Sequence, residues 1–481
     1  MSEPTMPNHY PPDALVAPDA APVALLDELT RIGVSFDVST GERAEHARDW
    51  WPRLIPDVAH GHVENWPGVV VRAQSTSDVS ATLRLAQEHR VSVTAQGGRS
   101  GVVGGAVPAP GAIALDLTGL NEVIALDAVS STVRVQAGVF GPDLERFVRS
   151  LGYTVGHFPQ SFDLSTVGGW VACWGAGQYS NRYGTIEDIV RALTVVLASG
   201  EVINLGGHGP RQAVGPDLLQ LFIGSEGTLG VITEATLLVR TLAPSEQRAA
   251  YCFTNFHEGM EACRRLFQRD AHPAVLRLYD DVESQRNFDL DGCALIVLDE
   301  GDPLFVEATM RVVREECTNA KPLEPSYVER WLERRNDVSA LTPLWERGYV
   351  VDTIEVSGPW SILESLRERV SRALRAVDGM LNVSVHQSHA YLDGACLYFT
   401  FAGQPDGDAA TFYRRAWDDA MNEVLRVGGA ISHHHGVGRA RARFVNDALG
   451  TAFTVLEGVK ELLDPHHILN PGVLGLGGPL W

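Results

Sequence analysis

Positive charge, cysteine and long apolar runs are all scarce in this sequence, and each shortage excludes a class of protein. The 39 Lys and Arg residues face 60 Asp and Glu residues, and the net charge of −21 argues against nucleic acid or an anionic membrane surface as partner. The six cysteines include no Cys-x-x-Cys pair, which favours reduced thiols over a disulfide-stapled secreted protein. No run approaches the roughly 18 apolar residues of a membrane-spanning helix, and the first residues lack the pattern of a signal peptide. We therefore expect a cytoplasmic protein, without an integral membrane segment, that acts on a small molecule.

Length and glycine are what the chain does have. Its 481 residues are enough for two or three domains. Glycines concentrate in three loops flanked by strand patterns, at residues 94–111, 156–188 and 224–230. Successive backbone N–H groups in such loops can bind anions, and the missing Cβ lets a ligand approach closely. Any one loop is equally a plain turn between strands, whereas three of them in residues 63–243 predict one large phosphate-bearing cofactor.

A Rossmann dinucleotide site is the rival interpretation of the first loop, with Asp116 as the ribose-binding acid. That site needs a helix directly after the glycines. Pro108 and Pro110 follow instead, and proline argues against a helix at that point. The first loop therefore favours a cofactor site of another kind.

Hydrophobic periodicity predicts secondary structure along most of the remaining chain. Helices are predicted at 22–32, 142–151, 257–268, 303–316, 360–377 and 452–463, and strands at 69–71, 91–93, 112–117, 132–137, 193–198, 201–205, 249–254, 275–278, 294–298, 350–356, 383–387 and 395–401. From residue 244 onward the strands mostly return antiparallel, which predicts an α+β layer packed on the first domain.

Six motifs occur in a fixed order, and they are specific in combination. They are STVGGW at 165–170, YGTIED at 183–188, GPRQAVGPD at 209–217, GSEGTLGVITEAT at 224–236, GACLYF at 394–399 and SHHHGVG at 432–438. With them the chain, from about residue 45 to its end, resembles the flavin-linked oxidase superfamily that includes vanillyl-alcohol oxidase. Within that superfamily it most resembles alkyldihydroxyacetonephosphate synthase (alkylglycerone-phosphate synthase) and its bacterial relatives.

The resemblance implies an α+β fold in which a non-Rossmann, PCMH-type FAD-binding domain of two subdomains lies under an α+β cap domain. The implied parts are a partly mobile N-terminal arm at 1–62, the FAD-binding domain at 63–243, the cap at 244–425 and a C-terminal segment at 426–481 that returns to the flavin site. A homodimer is implied as well.

FAD is the implied cofactor, and its binding residues carry over one by one. They are Ala95, Gln96, Gly97, Gly98, Arg99 and Ser100 at the pyrophosphate; Gln160, Ser161, Ser165, Thr166, Gly169, Cys173, Gly175 and Ala176 beside the flavin; and Glu226, Gly227 and Ile232, which complete the site. Relatives that bind flavin covalently use a His or Cys in these loops. Because the first loop has neither and Cys173 matches a Thr of the synthase, we predict noncovalent FAD.

Removal of a hydride from a hydroxyl-bearing carbon needs a nearby base, and phenol or imidazole groups can accept or relay that proton. The resemblance places Tyr398 on the synthase's active-site tyrosine, His434 and His435 on the histidines that assist it, and Arg277 on a basic residue of the substrate region. We predict these four residues and His433 as catalytic, with Tyr398 and His435 foremost.

Each catalytic prediction has a structural alternative. Tyr398 lies in an aromatic strand, so it is alternatively a side chain of the hydrophobic core. Arg277 is alternatively a structural ion-pair partner. The three histidines are also read as a surface cluster or a metal site, although adjacent residues point in different directions. The related D-2-hydroxy-acid dehydrogenases hold a metal through a Gly-Asp-Gly core and a Glu that are missing from residues 386–391 and 434–436 here. We therefore expect no metal.

Two departures from the synthase bear on the reaction. Leu341-Thr342 falls where the synthase has a phosphate-binding Arg-Asp pair, with Arg335 as a nearby substitute, and Trp174 falls where its flavin loop has an arginine. Loss of guanidinium groups removes bidentate phosphate binding. We therefore favour an FAD-dependent oxidoreductase acting on the CH–OH group of an alcohol-type or hydroxylated molecule, aromatic or hydroxy acid. The alternatives are a synthase-like transferase without net redox change and a binding protein with a vestigial flavin site.

Overall fold

A computed structural model describes residues 15–59, 61–337, 342–345 and 347–479. Residues 1–14 of the predicted N-terminal arm and Leu341 of the predicted phosphate site lie outside these ranges, and of Thr342 only the backbone is described. Among the helices in these ranges, none has both the length and the apolar composition that crossing a membrane requires.

The first subdomain is built on a four-stranded sheet of order β1-β2-β4-β3. Its elements are α1 (Val23–Ile32), β1 (Ser35–Asp37), α2 (Thr40–Glu45), α3 (Ile55–Ala59), β2 (Val69–Arg72), α4 (Thr76–His89), β3 (Val93–Gln96) and β4 (Ile113–Asp116). Strands β2 and β3 both run parallel to β4. Ser75 begins α4 by accepting a hydrogen bond from the Asp78 amide. The first glycine-rich loop follows β3 directly.

The second subdomain contains a five-stranded antiparallel sheet of order β5-β6-β10-β8-β9. Its elements are β5 (Val123–Asp127), β6 (Thr132–Gln136), α5 (Gly141–Ser150), β7 (Tyr153–Thr154), α6 (Val167–Ala172), α7 (Ser180–Tyr183), α8 (Ile186–Ile189), β8 (Val190–Val196), β9 (Val202–Gly206), α9 (Leu218–Phe222), β10 (Val231–Leu238) and β11 (Arg240–Thr241). The second glycine-rich segment contains α6 to α8, and the third leads straight into β10.

The cap is a seven-stranded antiparallel sheet of order β15-β12-β14-β13-β17-β18-β16, with helices packed on both of its faces. Its elements are β12 (Ser245–Phe253), α10 (Phe256–Gln268), β13 (Val275–Tyr279), α11 (Asp281–Phe288), β14 (Cys293–Gly301), α12 (Pro303–Glu316), β15 (Lys321–Leu323), α13 (Ser326–Arg334), α14 (Thr342–Trp345), β16 (Val350–Pro359), α15 (Trp360–Arg375), β17 (Met380–Ala390) and β18 (Gly394–Gly403). Alternation along β18 sends Phe399 and Phe401 into the helix-covered core and leaves Tyr398 on the opposite face.

The C-terminal part begins with α16 (Ala409–Val427) against the cap core and continues through α17 (Val445–Leu449) and α18 (Phe453–Leu463). The chain then returns to the first subdomain. The Val93 amide donates to the Ile468 carbonyl and the Asn470 amide donates to the Val93 carbonyl, at 2.7 and 2.8 Å. Residues 468–470 thereby extend the first sheet beside β3.

The predicted α+β class is confirmed, and the predicted strands and helices correspond to elements of the structure. Strand β5 and helices α11, α13 and α16 are among the elements that were not predicted. Helix α16 has a clear signal, because its buried residues Phe412, Ala416, Ala420 and Val424 recur every four positions. The domain boundaries stay predictions.

Candidate active site

A cavity of about 650 Å³ lies where the two subdomains meet the face of the cap sheet that carries Tyr398. All three glycine-rich loops contribute to its lining, as do β13, β16, β17, β18 and the loop that carries the three histidines. Ligand cavities of roughly 300–1,000 Å³ are usual for cofactors and small molecules. The size and the composition of the lining therefore make this the candidate site.

The subdomain side of the cavity is backbone packed too closely for side chains. A Cβ on Gly98 would lie 1.8 Å from the Leu164 carbonyl oxygen, and one on Gly168 would lie 2.7 Å from the Ala137 Cβ. The first and second glycine-rich loops thus contact their neighbours through positions that only glycine can fill. A cavity wall made of closely packed backbone fits a flat, dinucleotide-sized cofactor.

The Rossmann alternative is excluded by the chain path. After β3 and its glycines the chain turns into β4, and the next helix, α5, begins only at Gly141. The Asp116 carboxylate accepts hydrogen bonds from the Thr118 amide and hydroxyl, at 2.9 and 2.7 Å. These hydrogen bonds show that Asp116 stabilises the turn that follows β4.

The structure brings nearly all the predicted cofactor residues to this cavity. The lining includes Ala95, Gly97, Gly98, Arg99, Ser100, Gln160, Ser161, Ser165, Thr166, Gly169, Cys173, Gly175, Ala176, Glu226, Gly227 and Ile232. Gln96 lies behind it. Its side chain contacts His46 Nδ1 at 2.6 Å and donates to the carbonyls of His46 and Ala106, so it holds the base of the first loop.

Glu226 connects the third glycine-rich loop to the histidine loop. Its buried carboxylate accepts hydrogen bonds from the Val437 and Gly438 amides, at 2.6 and 2.8 Å. Burial raises the pKa of Glu226 to about 7, although both hydrogen bonds oppose that shift. The backbone at Glu226 has a φ of +48°, which is uncommon for a residue other than glycine.

The cap side of the cavity is made of functional side chains, and the register of the sheet places them. Tyr398 on β18 pairs with His386 on β17, and the two rings stack with centroids 4.7 Å apart. The Tyr398 hydroxyl donates to Thr353 Oγ1 on β16 at 3.0 Å. Tyr398 therefore faces the cavity among polar groups, which the core interpretation did not predict. Burial raises the pKa of its phenol, so the hydroxyl keeps its proton.

One buried carboxylate, Glu355, fixes the loop that carries the three histidines. It accepts hydrogen bonds from the amides of His433 and His435 and from the Ser432 hydroxyl. Arg441, itself fully buried, donates to it at 2.7 Å. Burial opposes ionisation, but Arg441 holds the pKa of Glu355 well below its usual range.

The histidines themselves are neutral. Burial lowers the pKa of His434 to about 3 and that of His435 to about 4. Both line the cavity, and the rings of His435 and Tyr398 meet edge to face with centroids 5.5 Å apart. His433 lies behind them, where it contacts His434 Nδ1 at 2.9 Å and the Tyr391 hydroxyl at 2.7 Å.

A fourth imidazole, that of His389 on β17, joins this group. The ligand atoms of His389, His433 and His434 lie within 4.8 Å of one another. The prediction of no metal used the different directions of the adjacent histidines and the missing Gly-Asp-Gly core at residues 386–391, and it did not consider that His389 lies beside His433 and His434. That no metal binds here stays a prediction.

Arg277 on β13 lies in the cavity wall beside Tyr398. It donates to His386 Nε2 at 2.6 Å, while His386 Nδ1 donates to Glu283 at 2.9 Å. Its guanidinium also lies 5.7 Å from the Trp331 ring. Among the described residues Arg277 has no ion pair with a carboxylate, so its partners differ from those of the ion-pair alternative.

Several lining residues were not predicted. Trp50, Pro52 and Ile55 come from the N-terminal region, and Arg330, Trp331, Arg334 and Arg335 come from α13 and its end. Arg335 lies 5.1 Å from the Tyr179 ring and 5.6 Å from the Phe158 ring, beside the Gln178 side chain. The only signal for Arg335 was its proximity in sequence to the synthase's phosphate-binding pair.

Comparison with known families gives two matches that together span most of the chain. The FAD binding domain family matches residues 67–206, and the C-terminal domain of FAD linked oxidases matches residues 243–474.

Individual relatives agree with these matches. An uncharacterized FAD-linked oxidoreductase of Escherichia coli K12, YgcU, is 30% identical over 475 residues, covering 94% of this chain and 98% of the relative. A D-lactate dehydrogenase of Anaerostipes hadrus is 30% identical over 437 residues, with coverage of 84% and 89%. A solved alkyldihydroxyacetonephosphate synthase is 25% identical with a TM-score of 0.81, with coverage of 97% and 90%. The predicted fold and the predicted FAD are confirmed.

Proposed function

Since the chain belongs to the FAD-linked oxidoreductases, we propose that it oxidises the CH–OH group of an alcohol-type or hydroxylated small molecule, aromatic or hydroxy acid. The observation that carries this proposal is the placement of the Tyr398 phenol and the His435 imidazole in the cavity that the glycine-rich loops also line. The likeness to a D-lactate dehydrogenase supports a substrate of this class.

FAD would be held by the cavity-lining residues of the three glycine-rich loops. When bound, it supplies at N5 an acceptor for the hydride that the substrate gives up. We propose that it is held without a covalent bond. Burial raises the pKa of the Cys173 thiol, which keeps this lining residue in its less nucleophilic form.

His435 and His434 are the proposed proton acceptors. A neutral imidazole has a free lone pair, and the lowered pKa values keep both rings neutral at physiological pH. Tyr398 keeps its proton, and its ring is oriented by the ring of His386. It is the proposed hydrogen-bond donor to the substrate oxygen, a role in which its single O–H turns from Thr353 Oγ1 to the substrate. Arg277 orients His386 from the other side.

The test is anaerobic mixing of the flavin-loaded protein with a panel of alcohols, hydroxylated aromatics and hydroxy acids. Loss of flavin absorbance near ~450 nm with one class of substrate is the expected result, because oxidation of the substrate reduces the flavin. A flavin that stays oxidised with the whole panel would contradict the proposal.

A synthase-like transferase is the second candidate, and one observation favours it. Arg335, which the sequence analysis named as a substitute for the synthase's phosphate-binding arginine, lines the cavity. The test is formation of an ether lipid from acyl-dihydroxyacetone phosphate and a fatty alcohol. Product formed while the flavin stays oxidised in the panel experiment would favour this candidate over the first.

A further inference from the structure

We propose that Asn470, near the end of the chain, is a positioning residue for the cofactor. From outside the cavity it ties the first glycine-rich loop to the third. None of the six motifs and no predicted site includes it.

The Asn470 side chain uses all of its polar groups for this tie. Its Nδ2 donates to the Gly105 carbonyl at 2.9 Å and to the Glu226 carbonyl at 2.8 Å. Its Oδ1 accepts a hydrogen bond from the Thr94 hydroxyl at 3.2 Å. Asn470 is only 1% exposed, so water cannot replace these partners without a rearrangement of the loops.

The loops that Asn470 joins come from different subdomains. Gly105 follows β3 of the first subdomain, whereas Glu226 precedes β10 of the second. Gly105 and Gly227 both line the cavity, and a Cβ on Gly227 would lie 3.9 Å from Asn470 Nδ2. Asn470 therefore lies directly behind the cavity wall and sets the spacing between two surfaces that a dinucleotide must contact together.

A buried ion pair holds the segment before Asn470 in place. Lys460 and Asp464 are 1% and 0% exposed. Lys460 Nζ donates to Asp464, to the Thr228 carbonyl and to the Leu469 carbonyl, and Asp464 accepts from the Ile468 and Leu469 amides. Every donor of the ammonium group has a partner, which is the condition under which a buried pair fixes one geometry. The segment that ends at Asn470 is thereby anchored to the third loop.

The backbone of Asn470 restricts the choice of test variants. Its φ is +41°, in the left-handed region where Asn and Asp are tolerated better than Ala. Asn470→Asp keeps this tolerance and the acceptor for Thr94, but it presents oxygen to the Gly105 and Glu226 carbonyls. It therefore breaks the tie between the loops, and because it also adds a buried carboxyl group, the uncharged variant Thr94→Val is measured beside it.

The experiment is titration of FAD into the apoprotein of wild type and Asn470→Asp, followed by flavin fluorescence and by melting of both forms. We expect an FAD dissociation constant at least about tenfold higher for Asn470→Asp, because two buried acceptors lose their donor. The control is Leu25→Ala, which opens the core of the first subdomain away from the cavity. It lowers the melting temperature of the apoprotein but leaves FAD affinity within about twofold.

Two outcomes would overturn the proposal. One is an unchanged FAD dissociation constant in Asn470→Asp. The other is an Asn470→Asp variant that behaves as Leu25→Ala does, with an apoprotein that melts earlier but binds FAD normally. Should Asn470→Asp fail to fold, Thr94→Val removes only the third hydrogen bond, and we expect it to raise the dissociation constant about two- to threefold. Normal FAD affinity in that variant would then reject the tie.

Discussion

The two walls of the cavity are built from different materials. The subdomain wall is backbone brought close by glycine, as at Gly98, where a Cβ would meet the Leu164 carbonyl at 1.8 Å. The cap wall is a set of side chains from neighbouring strands, in which Tyr398 contacts both His386 and Thr353. In the proposed function, the first wall makes room for the cofactor and the second supplies reactive groups. Substitutions in the first should therefore change FAD occupancy, and those in the second should change turnover at full occupancy.

The strongest test of the backbone wall is Gly98→Ala. The added Cβ would overlap a backbone oxygen, which cannot move aside as a side chain can. We expect protein without bound FAD, measured as flavin absorbance per chain after purification. The matched control in the same loop is Gly101→Ala, whose Cβ would meet nothing closer than Asp49 Oδ2 at 3.7 Å. Normal occupancy in Gly98→Ala would mean that the wall is not the tight surface described.

The corresponding test of the side-chain wall is Tyr398→Phe. It removes the hydroxyl that faces the cavity but keeps the ring stacked on His386. We expect full FAD occupancy and a rate constant of flavin reduction about 10²- to 10³-fold lower, the range usual for loss of one hydrogen-bond donor to the reacting oxygen. Thr353→Val is the control, because it removes only the acceptor of the Tyr398 hydroxyl. A Tyr398→Phe variant that reduces its flavin at the normal rate would reassign this wall to a structural role.

The pH dependence of flavin reduction tests the state of the imidazoles. Burial lowers the pKa of His435 to about 4, so its base form persists at pH 5.5. A histidine of ordinary pKa would lose about tenfold of its base form there. We expect the reduction rate constant to change less than about twofold between pH 7.5 and 5.5 and to fall only at lower pH.

FAD occupancy must be measured at each pH, because Glu226 has its pKa raised to about 7 and lies in the cofactor wall. A rate that falls with a midpoint near 6.5 at constant occupancy would show that the base is an exposed, ordinary histidine.

The same contrast explains what the sequence predicted. Glycine-rich loops are local patterns, so the three loops of the backbone wall were recognisable from the sequence, and the family resemblance then supplied their individual residues. One of those residues, Gln96, lies outside the cavity lining for a simple reason. Ala95 and Gln96 are neighbours on β3 and point to opposite faces of the strand, so only Ala95 reaches the cavity.

The cap wall has no local pattern. Tyr398 and Arg277 were predicted only through a family resemblance. Trp331 was missed together with the helix that carries it, and Arg335 was named only as a substitute for the synthase's phosphate-binding arginine. Glu355 left a readable signal that was not used. A carboxylate in a strand as apolar as residues 350–356 is costly unless it is paired, and the structure pairs it with Arg441 and the histidine loop.

The smallest expected effect concerns Cys173, a residue of the backbone wall whose side chain could itself react. Thiols can act as nucleophiles, but burial raises the pKa of the Cys173 thiol and keeps it protonated. We expect denaturation to release all the flavin, so that the denatured chain has its unmodified mass. Cys173→Ala should then bind the same amount of FAD and release it in the same way. A flavin adduct on wild-type chains that disappears in Cys173→Ala would show that Cys173 bonds covalently to the cofactor. The backbone wall would then contain a reactive group as well, and the contrast between the two walls would not hold at this residue.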